Sequence, residues 1–401
     1  MFSFFPEYII NDSVFSGRYL VLYICSLLFA IFTIIYQILY KCRKIYVIEI
    51  DILYSGIFVL YLFSILKTDY RSSLFLMQYI AQFIIYFCIR LNYDTLRKYF
   101  RTEWYAVLAG LLIITHSIIA IIMHVKNGYG LAGVFKNSNY YACYIAVLFL
   151  PLFAVLLYTK PKGKLWWWTC TVAIIALLNI VYTCSRTAIL GIVIAGGLLL
   201  ASKPSIRKKI RSYYNMKRLV LTVLVLIPVM SILVWGAYCV KPVSVGGRIL
   251  AWKITLNTIR THLFSGIGPG QVANMYNHFQ AQYFSAGLGS IPERMAASES
   301  RQIFNWYLEI IAEYGLIGAI PFVLFWYYSI KKAVQTFVEK KLTCNSETVI
   351  VKGCAAIVIG FLTMSLTHFP QKIIPTFLLF NCALAFVVSY RSEKKQKPGR
   401  L

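Results

Sequence analysis

Apolar residues run along this chain in blocks of roughly twenty, the length of helix needed to cross a bilayer. Short polar stretches separate the blocks. Backbone groups in lipid must be bonded within their own segment, so such blocks are expected to be helices. The alternating pattern of a membrane barrel is absent. The spacing predicts spans at 18–40, 47–66, 71–90, 104–124, 138–158, 165–184, 186–202, 218–240, 304–330, 349–368 and 371–390. The expected fold is an all-α polytopic membrane protein of about eleven helices. Spans six and seven meet at a tight loop around Ser185 and read equally as one segment with a break. One polar interruption stands apart, from Lys241 to Arg301. The chain is therefore divided into N-terminal spans (1–240), a long loop (241–303), C-terminal spans (304–390) and a basic tail (391–401).

Charge orients the spans. The net charge is +26, although only 13% of residues are charged and 59% are hydrophobic. One set of loops holds Arg43, Arg90, Arg97, Lys160, Lys208, Arg211, Lys331, Lys340 and the tail. The alternate set holds few cations: Lys67, Arg71, Lys126, Lys136, Arg186 and Lys372. Cations mark the cytoplasmic side of short loops, so the long loop and the N-terminus are expected on the far side. This distribution explains the charge without nucleic acid, for which no motif is present.

The ten cysteines include no C-x-x-C pair. Cys25, Cys88, Cys143, Cys170, Cys239, Cys354 and Cys382 lie in apolar blocks and read as small buried hydrophobes. The N-terminal stretch MFSFFPEYIINDSVFSG lacks the basic start and small-residue cleavage site of a removed signal. The five histidines are scattered, with no metal-ligand spacing.

Four polar places are expected on the far face: 127–142, the turn CSRTA at 184–188, the long loop, and THFPQK at 367–372. Arg186, at the mouth of a span, is either an anion contact or an arginine anchoring a helix end. Arg248 follows Gly246 and Gly247 and opens RILAWKITLNTIRTH, which has helical apolar spacing. An arginine at a helix N-terminus is a plausible diphosphate cradle; an ordinary surface helix is the alternative. SGIGPG at 265–270 reads as a rigid turn. Glu309 and Glu313 share one face near the start of span nine, and Glu299 and Arg301 precede them. They form either a site or a structural ion pair. His278 is the best-placed base in the loop, while His368 reads as a helix end. Asn137 and Asn139 either bind substrate or cap span five. Tyr276, Phe279, Tyr283, Phe284, Trp306 and Tyr307 either stack on sugars or form an interfacial belt.

The ordered set GVFKNSNYYA, CSRTAILG, GGRILAWKITLNTIRTHLFSGIGPGQV and FNWYLEIIAEYGLIGAIPF resembles the O-antigen ligase/polymerase family, over roughly 130–330. The resemblance implies a GT-C-like membrane fold in a bacterial inner membrane, with the active site on the periplasmic face. The donor it implies is a glycan on polyprenyl diphosphate. The acceptor is another glycan, lipid A–core or a protein hydroxyl. Neither metal nor nucleotide cofactor is required, and the reaction inverts the anomeric centre. Arginines matching Arg186 and Arg248 would hold the diphosphate. Asn137, Asn139, Arg301, Asn305 and Glu313 are the candidate substrate contacts in this chain.

The chain departs from the family pattern at Phe304-Asn305, where many members carry His-Asn. A phenyl ring takes no proton. The base is then expected at His278, Glu299 or Glu309, and the reading leans from ligase to repeat-unit polymerase. A flippase for the same lipid-linked glycans is the alternative of another class. It predicts mid-span charges and internal repeats, of which the chain shows little.

Overall fold

In the computed structural model the described residues are 7–10, 13–40, 47–67, 70–99, 101–128, 130–135, 137–159, 161, 163–213, 242–297, 302–338 and 346–390. Fourteen α-helices occur among them. These are α1 (Gly17–Tyr40), α2 (Glu49–Lys67), α3 (Tyr70–Tyr99), α4 (Thr102–Asn127), α5 (Ser138–Tyr158), α6 (Lys164–Thr183) and α7 (Arg186–Ala201). Then follow α8 (Pro204–Tyr213), α9 (Pro242–Thr261), α10 (Gln271–Ser285), α11 (Ile291–Ala296), α12 (Trp306–Val338), α13 (Ser346–Met364) and α14 (Ile374–Ser389). Ten of the predicted spans fall on helices. The span at 218–240 lies outside the described residues. Six helices are long and apolar enough to cross a membrane, among the described residues: α1, α4, α5, α6, α12 and α13. α7 and α14 are shorter apolar helices. The protein is a polytopic membrane protein built of helices. One small addition was not foreseen: strands Glu7–Ile10 and Ser13–Ser16 pair antiparallel ahead of α1.

The chain divides into two compact units. Unit 1 comprises 1–199, 321–365 and 369–401; unit 2 comprises 200–320 and 366–368.

In unit 1, α13 is buried along nearly its whole length, packed on α5 and α14. Lipid offers no hydrophobic drive between helices, so close packing at small residues holds them together. A β-carbon at Gly353 would sit 2.9 Å from Pro151, and one at Gly360 would sit 2.5 Å from Leu150. Unit 1 also holds a buried ion pair that the sequence pattern did not reveal. The Arg90 guanidinium donates to both Asp51 oxygens, Nε to Oδ1 at 3.0 Å and a terminal nitrogen to Oδ2 at 2.5 Å. Tyr86 donates to the same carboxylate at 2.8 Å, and Arg90 reaches Ser389 at 3.0 Å. Arg90 was expected in a cytoplasmic loop. It lies instead inside α3, which continues to Tyr99, because the carboxylate on α2 compensates its burial.

In unit 2, α9, α10 and α11 surround a core of Leu250, Ala251, Ile254, Ile259, Val272, Tyr276, Ile303 and Ala312. Glu293 ties the cluster from α11, accepting from the Ser290 N–H at 2.8 Å and pairing with Lys253 of α9. The expected polar loop is thus a small helical assembly.

Candidate functional site

Three of the expected site residues belong to unit 1. Arg186 is the first residue of α7. The break before it is made by Cys184, whose left-handed backbone (φ 51°) ends α6, and by Ser185, whose carbonyl accepts from Ile189 N–H at 3.1 Å. The tight loop expected at Ser185 is therefore a true helix break. Asn137 caps α5: its side chain accepts from the Asn139 N–H at 2.8 Å. The capping alternative is the one the geometry supports for Asn137, and Asn139 lies in the first turn of the helix it caps.

Arg248 belongs to unit 2, and its setting corrects one expectation. α9 begins at Pro242 rather than after the glycines. Arg248 therefore lies in the second turn, not at the helix N-terminus, and the dipole cradle expected there is not formed. Proline suits a helix start because its missing N–H has no partner there anyway. Gly246 and Gly247 lie inside this helix, and a β-carbon at Gly246 would make an ordinary contact with Ala296 of α11 at 3.6 Å.

What surrounds Arg248 is specific. Its guanidinium donates to the Thr367 carbonyl at 3.1 Å. It also faces the Phe304 ring at 5.1 Å from the centroid. The same ring meets the His368 imidazole edge-on, centroids 6.3 Å apart. His368 is 1% exposed. Burial first, and the Arg248 charge second, push its pKa down to about 3, so the ring is neutral at physiological pH. Phe304 has φ 55°. A bulky residue in the left-handed region is strained, and such strain collects at functional positions. The sequence pattern predicts a helix end at His368. α13 already stops at Met364, so His368 lies past that end. No spacing rule links positions 248, 304 and 368; only the chain path joins them.

Glu309 and Glu313 are 6% and 7% exposed, on the first part of α12. That part ends where Gly315 (φ 66°, ψ 179°) breaks the helix. The break frees carbonyls that bond the glycine turn: Ile267 N–H donates to Ala312 at 2.9 Å and Gly268 N–H to Glu313 at 3.0 Å. Leu316 N–H donates back to Leu263 at 2.9 Å. SGIGPG is thus the rigid turn it was expected to be, with positive φ at Gly266, Gly268 and Gly270. Asn305 caps α12, accepting from the Leu308 N–H at 3.0 Å. His278 is exposed on α10 and bonds Gln282 of the same helix at 2.9 Å. Tyr276 and Trp306 are buried at 4% exposure each, which favours core over sugar platform. Glu299 and Arg301 lie outside the described residues.

Residues 170–323 match the family model described as O-Antigen ligase. The chain carries an O-antigen ligase domain. The ligase domain runs from α6 into α12 and includes Arg186, Arg248, the glycine turn and Phe304. It is the domain of a membrane glycan transferase of the ligase/polymerase type. His368 lies beyond the match in sequence but beside the ligase domain's Arg248 and Phe304 in unit 2. No curated protein matches the chain.

Proposed function

We propose that the protein moves a glycan from a polyprenyl diphosphate to an acceptor hydroxyl, at the periplasmic face of a bacterial inner membrane. The observation that carries this reading is Arg248. Its guanidinium is partly buried and held by the Thr367 carbonyl, and its planar fork suits phosphate oxygens. Departure of the diphosphate from the anomeric carbon builds negative charge on the leaving oxygens. A fixed cation near a low-dielectric boundary stabilises that charge more than water does. The family resemblance implies an anion-contacting role for Arg186 as well. The acceptor oxygen attacks opposite the leaving group, which inverts the anomeric centre. Arginine donors and one base suffice for this chemistry, with no metal or nucleotide. The full reading includes eleven spans, with the 241–303 segment outside the cytoplasm, as the loop charges suggest.

Within the class we favour a repeat-unit polymerase, because Phe304 stands where many members of the family carry histidine. The family description favours ligation, and that is the second reading. Gene deletion followed by a gel of surface glycans separates them. Single repeat units on the acceptor mean a polymerase. Long lipid-linked chains with a bare acceptor mean a ligase. An unmodified glycoprotein beside normal glycans means a protein transferase. Unaltered glycans and glycoproteins together overturn the proposal.

A further inference from the structure

Acceptor activation needs a group that takes a proton, and Phe304 cannot. Three histidines of unit 2 are described. His262 is exposed, bonding Thr261 at 2.9 Å, and His278 is exposed on α10. Only His368 of the three stands against Arg248 and Phe304. We propose that His368 takes the acceptor proton, and that Phe304 is the shutter over it and over Arg248. This rests on the transferase reading above.

The chemistry favours an imidazole over the carboxylates of α12. A carboxylate beside a bound diphosphate meets like charge, and so does its substrate. A neutral imidazole repels nothing before reaction and becomes a cation as the diphosphate leaves. The step balances. The acceptor O–H proton passes to the imidazole nitrogen. The oxygen forms a bond to the anomeric carbon. The bond from that carbon to the diphosphate oxygen breaks, and its electron pair leaves with the diphosphate on Arg248. The imidazolium then returns its proton to water.

Phe304 supplies the control. Its ring lies on the guanidinium and against the imidazole, and its backbone is held at φ 55°. Charge-assisted hydrogen bonds from phosphate oxygens to Arg248 are stronger than a partly exposed cation–π contact. A diphosphate therefore displaces the ring, relieves the backbone and opens His368. It also reverses the local field. Burial and Arg248 make the imidazole a poor proton acceptor before binding; two phosphate charges raise its basicity once the donor is present. The base is competent only when there is something to attack.

The test uses the full chain, in a deletion strain and in nanodiscs. His368→Gln is expected to lower glycan assembly by about 100-fold or more, the range of a lost general base, while undecaprenyl diphosphate still binds. Diethyl pyrocarbonate, followed by mass spectrometry at His368, reads the shutter. Carbethoxylation is expected to be slow in the wild type, and faster in Phe304→Ala and on addition of undecaprenyl diphosphate. Assembly within about tenfold of wild type in His368→Gln removes the base role. Loss of undecaprenyl diphosphate binding in that variant makes the residue structural and overturns the role equally. Carbethoxylation unchanged by both treatments overturns the shutter. If the wild type itself restores no glycan to the deletion strain, the transferase reading fails first, which is a different result from an active His368→Gln.

Discussion

Gly266 and Gly315 approach each other so closely that neither has room for a β-carbon. One built on Gly266 falls 2.3 Å from the Glu313 carbonyl oxygen and 2.5 Å from the Gly315 nitrogen. One built on Gly315 falls 2.2 Å from the Phe264 carbonyl oxygen. Both residues have positive φ. Backbone meets backbone here, so nothing can swing aside. Gly266→Ala and Gly315→Ala are each expected to destabilise unit 2 by roughly 2–5 kcal/mol, strain and overpacking together. Thermal unfolding in detergent measures this, and a shift comparable to that of an exposed helical glycine would refute the interlock.

Arg248→Ala is expected to lower glycan assembly by about 100- to 1000-fold, the cost of losing one preorganised donor. Arg248→Lys keeps the charge but loses the fork, so it should recover only part of the activity. Arg186→Ala is expected to behave like Arg248→Ala. Surface-glycan gels of the complemented deletion strain read all three, provided that blots show normal membrane insertion. Full activity in either alanine variant removes that arginine from the site.

The Asp51–Arg90 pair predicts an asymmetry. Removing one partner leaves an uncompensated buried charge, so Asp51→Ala or Arg90→Ala should cost about 3–5 kcal/mol. Replacing both with apolar residues of similar size should cost much less. A double variant as unstable as the singles would show that the pair's hydrogen bonds, rather than its charges, dominate.

His368 predicts a pH dependence with a definite sign. Its folded pKa, about 3, lies below the ordinary 6.5. Protonation therefore favours the unfolded chain. The stability this group contributes is fully present above about pH 6.5 and declines as pH falls toward 3, by up to about 1.4 kcal/mol per unit. Denaturation of wild type against His368→Gln between pH 7 and 5 isolates it from the ordinary carboxylates, which titrate lower. Parallel curves would mean the imidazole is not held neutral.

Asn305→Ala should cost about 1 kcal/mol through loss of the cap on α12. Asn305→Asp, which keeps the acceptor oxygen, should cost less. An activity loss in Asn305→Asp without a stability change would instead favour the substrate contact expected from the resemblance.

The run of apolar residues determined the helices by itself, because a buried backbone in lipid has so few ways to satisfy its bonds. α5 begins and ends where its apolar block does. The glycine turn was legible too, since successive glycines with a proline leave few conformations. So was the ligase domain, whose motifs keep their order along the chain. Tertiary structure alone decided what those motifs meet. The sequence put Arg248 at a helix start, but Pro242 begins that helix two turns earlier. It left Arg90 in a loop, because the carboxylate that accepts it lies thirty-nine residues away on another helix. It noticed that Phe304 replaced a histidine and that THFPQK is a polar turn, yet nothing local places His368 beside that phenyl ring. Periodicity reports the neighbours of a residue along one helix. Contacts between positions 248, 304 and 368 depend on how the chain returns past α13, and no local pattern encodes that path.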